Sequence, residues 1–268
     1  MPLEERGGFP VHWSTRGEGA REVLLIHCSL AHQGAWAGLI AELEGLGRFT
    51  GFDLPGHGRS GDWASTGPLH EQALAIAGDF LDRPMDVVGH SFGAVVALAL
   101  ALERPERVNS LVMIDPVLFA AARADDPEHF VEKMHEYALP GGALAEGDRE
   151  TATRRFAETW GTGQPWETLS AAQRAYMSER IHLVPQADAL LFDDTAGLVP
   201  RLGKLDMPAL LLEGERSPPV MARICDALER RIPDLRREKI AGAGHMLPVT
   251  HPAQTAGAIR VFWARATG

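Results

Sequence analysis

The stretch Met85-Asp-Val-Val-Gly-His-Ser-Phe-Gly93 decides the fold of this chain. Its first residues predict a buried strand, and the apolar run that starts at Phe92 predicts a helix. Between them, Ser91 stands on a sharp turn with a glycine two positions away on either side. Such a turn needs small residues at those places, because a side chain there would collide with the neighbouring backbone. We therefore expect Ser91 to present its hydroxyl at the start of a helix, as an activated nucleophile does.

The rest of the chain alternates short apolar runs with stretches of helical periodicity. This alternation is typical of a parallel sheet with helices on both faces. We expect an α/β fold whose mostly parallel, doubly wound sheet has about eight strands. The predicted strands are 23–27, 48–54, 85–89, 108–114, 209–213 and 235–240, and the predicted helices are 35–46, 69–81, 92–103, 220–231 and 252–265.

One long segment interrupts this alternation. From 118 to 204 no strong strand pattern occurs, and the residues have helical spacing. A structureless loop of that length is unusual in a compact domain. We therefore expect a core formed by 1–117 and 205–268, with 118–204 as a helical cap over the carboxyl ends of the strands, where open α/β sheets bind their ligands. A purely structural second subdomain is the alternative.

Composition narrows the class of protein. Apolar residues make up 45% and charged residues 23%, which is typical of a soluble globular protein. The net charge of −10 argues against a nucleic-acid partner. The two cysteines and the absence of a signal core or an apolar run of about 20 residues indicate a cytoplasmic protein without a membrane span. No spacing of histidine, cysteine and acidic residues predicts a metal site, so we expect no metal and no cofactor.

Four segments, in order along the chain, resemble motifs of the α/β-hydrolase superfamily. The resemblance covers nearly the whole chain and implies the α/β-hydrolase fold with a serine nucleophile. It does not fix the substrate, because function resides in the site rather than in the fold. The segments are Leu25-Ile-His27 with Trp36, Phe52-Asp-Leu-Pro-Gly-His-Gly-Arg-Ser60, the turn around Ser91, and Gly244-His-Met-Leu-Pro248.

His245 is the candidate base for Ser91. A serine hydroxyl is a weak nucleophile at neutral pH and needs a base within hydrogen-bond reach. His245 follows the predicted strand 235–240 in a glycine-containing loop, so it can accept the serine proton and later protonate the leaving group. Among the other histidines, His90 is expected to point away from Ser91, and His57 to make a structural hydrogen bond in its turn.

Two backbone amides are expected to bind the developing oxyanion. One belongs to Phe92, the residue after the nucleophile, and the other to the loop after strand 23–27. In the family this loop usually begins His-Gly, with the next residue as donor. Here it reads His27-Cys28-Ser29, so the position assigns Ser29. Cys28 is expected to be a small buried residue rather than a second nucleophile, because nothing in its sequence context would lower its pKa.

The acid that orients the histidine is not at its usual place. Where the family usually carries an aspartate upstream of His245, this chain has Ser217. Asp115 ends the predicted strand 108–114 at the same edge as Ser91. This resembles family members, haloalkane dehalogenases among them, that carry the acid after that earlier strand, the sixth of the family's sheet. We predict that Asp115 is the acid, with Glu215 as the alternative, and that Ser217 is dispensable for proton transfer.

A serine nucleophile favours acyl transfer to water, so the expected small-molecule substrate is a largely apolar ester, lactone or thioester cleaved through an acyl-serine. A carbon–carbon bond hydrolase with the same triad, and a small-molecule receptor that has lost catalysis, are the alternatives. Aromatic residues of the cap can line an apolar pocket or form the cap's own core. These residues are Phe130, Tyr137, Phe156, Trp160 and Trp166.

Overall fold

The computed structural model of the protein describes residues 3–64, 67–128, 130 and 141–266. The strands in these ranges are β1 (Glu4–Arg6), β2 (Phe9–Val11), β3 (Trp13–Arg16), β4 (Arg21–Ile26), β5 (Gly47–Phe52), β6 (Met85–His90), β7 (Val108–Ile114), β8 (Ala209–Gly214) and β9 (Leu235–Ile240). The helices are α1 (Ala37–Glu42), α2 (Leu69–Asp79), α3 (Phe92–Glu103), α4 (Phe119–Asp125), α5 (Gly141–Ala145), α6 (Arg149–Trp160), α7 (Ala171–Arg180), α8 (Asp188–Asp193), α9 (Val220–Glu229), α10 (Leu247–Thr250) and α11 (Pro252–Ala266). Short 3₁₀ helices span Gln33–Trp36, Pro105–Arg107, Trp166–Thr168, Ile181–Ala187 and Val199–Lys204.

Seven of the strands form one sheet, in the order β3-β5-β4-β6-β7-β8-β9. β3 pairs antiparallel with β5, and all other neighbours are parallel. β1 and β2 form a separate antiparallel pair. The expected mostly parallel α/β architecture is confirmed, but the main sheet has one strand fewer than expected, because the first two strands pair with each other instead of extending it.

The central strands carry apolar residues on both faces, and helices cover each face. Along β4, Leu24 and Ile26 pack into one core layer, whereas Val23 and Leu25 pack into the other. This division follows from the strand geometry, in which successive side chains point to opposite faces. α2, α3 and α9 cover the first face, and α1 and α11 cover the second. The continuous apolar runs that predict these strands are therefore the two-sided core of the sheet.

The segment between β7 and β8, residues 118–204, is called the inserted segment below. Its described residues form helices and connecting turns, without a strand. The ring of Phe119 stacks on that of Phe192 with centroids 4.3 Å apart and meets Trp160 edge-on at 5.9 Å. Phe130 packs against Phe192 at 6.2 Å. These aromatic residues thus belong to the core layer on the first face of the sheet, which the inserted segment shares with α2, α3 and α9. Tyr137 lies outside the described residues.

The carboxyl ends of β4, β6, β7, β8 and β9 meet at one edge of the sheet, because these strands run parallel. The turns that follow them carry the residues that the sequence singles out. Among the described residues, no helix combines the length and the apolar character that crossing a membrane requires.

Candidate active site

Ser91 occupies a strained turn between β6 and α3, with φ of 55° and ψ of −119°. Positive φ is costly for a residue with a side chain and persists where the surroundings enforce it. A Cβ on Gly89 would lie 2.3 Å from the carbonyl oxygen of Gly93, and a Cβ on Gly93 would lie 2.2 Å from that of Ile26. Only glycine therefore fits at either position, as the sequence pattern predicts.

His245 connects Ser91 to Asp115. Its Nε2 lies 2.9 Å from Ser91 Oγ, and its Nδ1 lies 3.0 Å from Oδ2 of Asp115. Because an ionised carboxylate only accepts hydrogen bonds, Nδ1 carries the ring proton, and Nε2 is left to accept the proton of the serine hydroxyl. All three side chains are buried, and Asp115 has no exposed surface. The structure thus brings three of the expected site residues into one hydrogen-bonded row.

Groups from the neighbouring strand end hold the carboxylate of Asp115. Its Oδ1 accepts from the backbone N–H of Gly214 at 3.0 Å, and its Oδ2 accepts from the hydroxyl of Ser217 as well as from His245. Asp115 itself has a φ of 44°, in the left-handed region that non-glycine residues rarely adopt. Ser217 therefore contacts the carboxylate and makes no hydrogen bond to the histidine, a contact that sequence reasoning missed.

Glu215, the alternative acid, makes a different contact. Its Oε2 accepts from the backbone N–H of Gly242 at 2.7 Å. This bond joins the turn after β8 to the loop after β9, which carries His245. The geometry thus brings Asp115, and not Glu215, to the imidazole of His245.

His90 holds the backbone of the histidine loop. Its Nε2–H donates to the carbonyl oxygen of His245 at 2.8 Å, and the two rings lie 5.1 Å apart. Burial, followed by the proximity of His245, lowers the pKa of His90 to about 3, so this ring is neutral. On the other side, Trp160 of the inserted segment meets the His245 ring edge-on at 4.9 Å. The backbone of His245 is therefore held by His90, which precedes Ser91, and its ring is covered by Trp160 of the inserted segment.

Two buried histidines hold the loop after β4. His57 Nε2 accepts from the backbone N–H of Leu30 at 3.1 Å, and His27 Nδ1 donates to the carbonyl oxygen of Cys28 at 2.7 Å. Burial lowers the pKa of His27 to about 4 and that of His57 to about 3, so both rings are neutral. The structural hydrogen bond expected of His57 is confirmed.

The two expected oxyanion donors share a cavity with the serine. Ser29, Ser91 and Phe92 all line a cavity of about 40 Å³. The N–H of the next residue in this loop, Leu30, donates to His57 Nε2. The loop adopts this conformation without the usual glycine, and Leu30 has a φ of 59° instead.

A larger cavity of about 610 Å³ adjoins the first and shares Ser29, Phe156 and Trp160 with it. Its other walls come from the loop after β4, from α6 and α7, and from the residues that follow His245. Phe156 and Trp160 therefore line both cavities. Trp166 is buried, with the guanidinium of Arg174 6.0 Å from its ring centroid, and lines neither.

Tyr176 of α7 ties the inserted segment to two loops of the core. Its hydroxyl donates to the carbonyl oxygen of Ala31 at 2.8 Å and accepts from the N–H of Gly58 at 2.8 Å. The guanidinium carbon of Arg180 lies 3.9 Å from the centre of the Tyr176 ring. The segment is thus fastened next to the loop that carries Ser29.

Neither a second nucleophile nor a metal cluster is evident at this site. Burial raises the pKa of the Cys28 thiol to about 12, so it stays protonated, as expected for a small buried residue. Within the described ranges, no group of three or more histidine, cysteine and acidic side chains could hold a metal ion.

A serine on a strand-to-helix turn, bonded to a histidine at the carboxyl edge of a parallel sheet, defines an α/β hydrolase. Residues 23–258 match the model of the alpha/beta hydrolase family, and the chain belongs to this family. It is 34% identical over 260 residues to a pimeloyl-(acyl-carrier protein) methyl ester esterase of Methylococcus capsulatus, covering 93% of this chain and 97% of that relative. A protein of the same name from Klebsiella pneumoniae is 30% identical over 249 residues, covering 91% and 93%.

Structural comparison agrees on the fold. An alpha/beta hydrolase of Sphaerobacter thermophilus superposes with a TM-score of 0.73 at 23% identity, covering 98% of this chain and 99% of that one. The family match and the esterase relatives together show that the chain is an enzyme, a serine hydrolase that cleaves ester-type bonds. Because these relatives are named as esterases, they do not favour the two alternative functions, a carbon–carbon bond hydrolase and a small-molecule receptor.

Proposed function

We propose that Ser91 is the nucleophile of this hydrolase, His245 its general base and acid, and Asp115 the group that orients His245. The observation that carries this proposal is the unbroken row of hydrogen bonds, with 2.9 Å from Ser91 Oγ to His245 Nε2 and 3.0 Å from His245 Nδ1 to Asp115 Oδ2. Distances of this size allow proton transfer without rearrangement of the site.

In the first step, Ser91 Oγ attacks the carbonyl carbon of the substrate, and its proton passes to His245 Nε2. The imidazolium that forms is stabilised by the buried carboxylate of Asp115, which stays ionised. His245 then gives the proton to the leaving oxygen or sulfur, and the bond between the carbonyl carbon and the leaving group breaks. The alcohol or thiol departs, and the acyl group remains on Ser91.

In the second step, His245 takes a proton from water, and the resulting hydroxide attacks the acyl-serine. The bond between Ser91 Oγ and the acyl carbon breaks, and His245 returns the proton to the serine. The acid product leaves, and the enzyme regains its starting state. The net reaction consumes one water for each ester bond and needs no cofactor.

The oxyanion formed in both steps is bound by the backbone N–H groups of Phe92 and Ser29. Phe92 begins α3, so the partial positive charge of the helix N-terminus adds to its hydrogen bond. Ser29 lines the same cavity as Ser91 and is held by the neighbouring bond between Leu30 and His57. Donors fixed in this way need no reorganisation as the charge develops.

The inserted segment acts as the cap of the site in this proposal. Trp160 contacts the His245 ring, and Tyr176 is bonded to Ala31 beside the oxyanion loop, which supports this assignment. The substrate is a small, largely apolar ester, lactone or thioester that lies against Phe156 and Trp160. The relatives' name specifies a different kind of ester, a methyl ester whose acyl group is attached to a carrier protein.

Labelling with a fluorophosphonate probe tests the nucleophile directly. Wild-type protein should carry the phosphonyl group on the peptide that contains Ser91, and Ser91→Ala should not be labelled. The same variant should lose p-nitrophenyl acetate hydrolysis by at least about a thousandfold. Ser178→Ala, a serine on α7 that lines neither cavity, is the control and should label normally. Label on another serine, or activity retained by Ser91→Ala, would overturn the proposal.

We also propose a cytoplasmic location. Cys28 and Cys225 are free and buried, and chains exported to oxidising compartments more often pair their cysteines. Fractionation of cells that produce the protein checks this, and recovery of the enzyme outside the cytoplasm would contradict it.

A further inference from the structure

The small cavity beside Ser91 is lined mainly by apolar residues, among them Val117, Phe119, Leu191 and Phe192. Asp188 is the charged residue among the described residues that line it. At about 40 Å³, the cavity has room for about three or four water-sized groups, that is, for a short chain of three or four non-hydrogen atoms. A charged side chain therefore faces the space in which a short arm of the substrate would lie.

The carboxylate of Asp188 has no partner among the described residues. No hydrogen bond or ion pair joins it to another group there, although Asp193 on the same helix bonds to Arg123. Burial, and secondarily the negative charge of Asp193, raises the pKa of Asp188 to about 6. Burial of a carboxylate costs free energy, and hydrogen bonds from donors normally offset this cost. For half-buried Asp188, no donor among the described residues offsets it.

A local explanation for Asp188 exists, because acidic residues stabilise the first turn of a helix and Asp188 begins α8. That explanation does not require the side chain to line the cavity that contains Ser91. Asp193, at the other end of the same helix, shows the ordinary exposed arrangement, with its carboxylate paired to Arg123. The two acidic residues at the ends of α8 therefore differ in their surroundings, and of the two only Asp188 lines the cavity that contains Ser91.

The positions of the two cavities indicate which side of an ester, the acyl group or the leaving group, lies next to Asp188. The leaving group takes its proton from His245 Nε2, and the residues after His245, Met246 and Val249, line the larger cavity. Ser91 and Phe92 line the smaller one. The leaving group thus fits the larger cavity, and the acyl arm, which stays bonded to Ser91, fits the smaller one.

From this arrangement we propose that Asp188 selects short acyl groups that carry a hydrogen-bond donor or a positive charge, such as hydroxyacyl or aminoacyl esters. This inference rests on the proposed role of Ser91. The donor of the substrate supplies the partner that the carboxylate lacks, and the apolar walls exclude water from that contact. A terminal carboxylate on the same arm meets like charge and is rejected.

Four p-nitrophenyl esters of similar acyl size test the proposal at pH 8: butanoate, 3-hydroxybutanoate, 3-aminobutanoate and succinate. For wild-type enzyme, kcat/KM for the amino ester should exceed that for butanoate by about tenfold, and kcat/KM for succinate should fall below it by about tenfold. Asp188→Asn should bring the amino and succinyl esters to within about threefold of butanoate. Asp188→Leu should make butanoate the best substrate.

Asp193→Asn is the matched control, because it removes the same charge from the same helix outside the cavity. It should keep the wild-type order of substrates. Should Asp188→Leu fail to fold, Asp188→Ser, which also suits a helix start, replaces it. Equal substrate ratios in wild type and Asp188→Asn would overturn the inference and leave Asp188 as a helix-stabilising residue.

The same assays separate this inference from the proposed function. If Ser91→Ala is inactive on all four esters while Asp188→Asn leaves the ratios unchanged, only the role of Asp188 is lost. If Ser91→Ala still hydrolyses them, the proposed nucleophile is wrong. The proposed role of Asp188, which depends on that nucleophile, is then wrong as well. A wild-type preference for long-chain acyl methyl esters over all short esters would also overturn the assignment of the acyl arm to the small cavity.

Discussion

The ends of β7 and β8 lie side by side in the sheet, and each carries a polar residue where a hydrolase of this family can hold its acid. Asp115 directly follows β7 and bonds to His245 Nδ1, whereas the turn after β8 carries Ser217, whose hydroxyl bonds to that same carboxylate. Parallel neighbours bring both ends to one edge, so an acid can approach the imidazole from either. We therefore expect the position of the carboxylate relative to the ring, rather than the strand that supplies it, to decide its effect.

The largest effect expected from this comparison is that of Asp115→Asn. The amide lacks the charge that stabilises the imidazolium and favours the wrong ring tautomer, so kcat should fall by about 10⁴-fold with little change in fold. Glu215→Gln is the control at the other strand end and should stay within about twofold of wild type. Steady-state hydrolysis of p-nitrophenyl acetate measures both. A larger loss in Glu215→Gln than in Asp115→Asn would reverse our assignment.

The second largest effect is expected when the acid is moved from the end of β7 to the turn after β8. Because Ser217 already bonds to Oδ2 of Asp115, a carboxylate at 217 lies close to His245 Nδ1. Asp115→Asn combined with Ser217→Asp should regain about tenfold to a hundredfold in kcat over Asp115→Asn alone. Asp115→Asn combined with Ser217→Asn keeps the volume without the charge and should regain nothing. Equal rates for the two double variants would show that the strand ends are not interchangeable.

The smallest effect is that of removing the contact between the two strand ends. Ser217→Ala deletes one donor to a buried carboxylate and should lower the free energy of unfolding by about 1–2 kcal/mol. The loss in kcat should stay below about tenfold, since Asp115 keeps its bonds to Gly214 and His245. Ser217→Thr retains the hydroxyl and should restore stability. Chemical denaturation and steady-state kinetics measure the two quantities, and a loss as large as that of Asp115→Asn would make Ser217 essential.

Elements that depend on local apolar patterns could be predicted from the sequence. α3 and β7 have the predicted bounds, because largely apolar runs between turn signals specify them locally. β9 also has the predicted bounds, although four of its six residues are charged. β1, β2 and β3 could not be predicted, since they are short and partly exposed. β1 and β2 pair with each other, and β3 depends on pairing with the distant β5. α1 begins at Ala37, later than predicted, because a 3₁₀ turn precedes it.

The residues of the candidate site also differ in whether a local sequence pattern predicts them. Ser91 and His245 belong to short motifs, and Asp115 could be inferred from its place at a strand end. The hydrogen bond from Ser217 to that carboxylate depends on how β7 and β8 are paired, and no local pattern signals it. The position of Asp188 beside Ser91 likewise depends on how α8 packs against the core. Contacts between distant segments are set by tertiary packing, which periodicity alone does not specify.

Three buried histidines near the site besides His245, namely His27, His57 and His90, are expected to make the protein sensitive to acid. Their pKa values are lowered to about 4, 3 and 3 by burial, whereas the unfolded chain binds protons with the ordinary value of about 6.5. Keeping these rings neutral therefore costs no stability above pH 6.5, and stability is lost progressively as the pH falls from 6.5 towards 3. At pH 5 each histidine favours unfolding by roughly 2 kcal/mol, and three together approach the stability of a typical domain. Thermal unfolding followed from pH 8 to pH 5 should show a steep fall in Tm, so mild acid would inactivate this hydrolase by denaturing it.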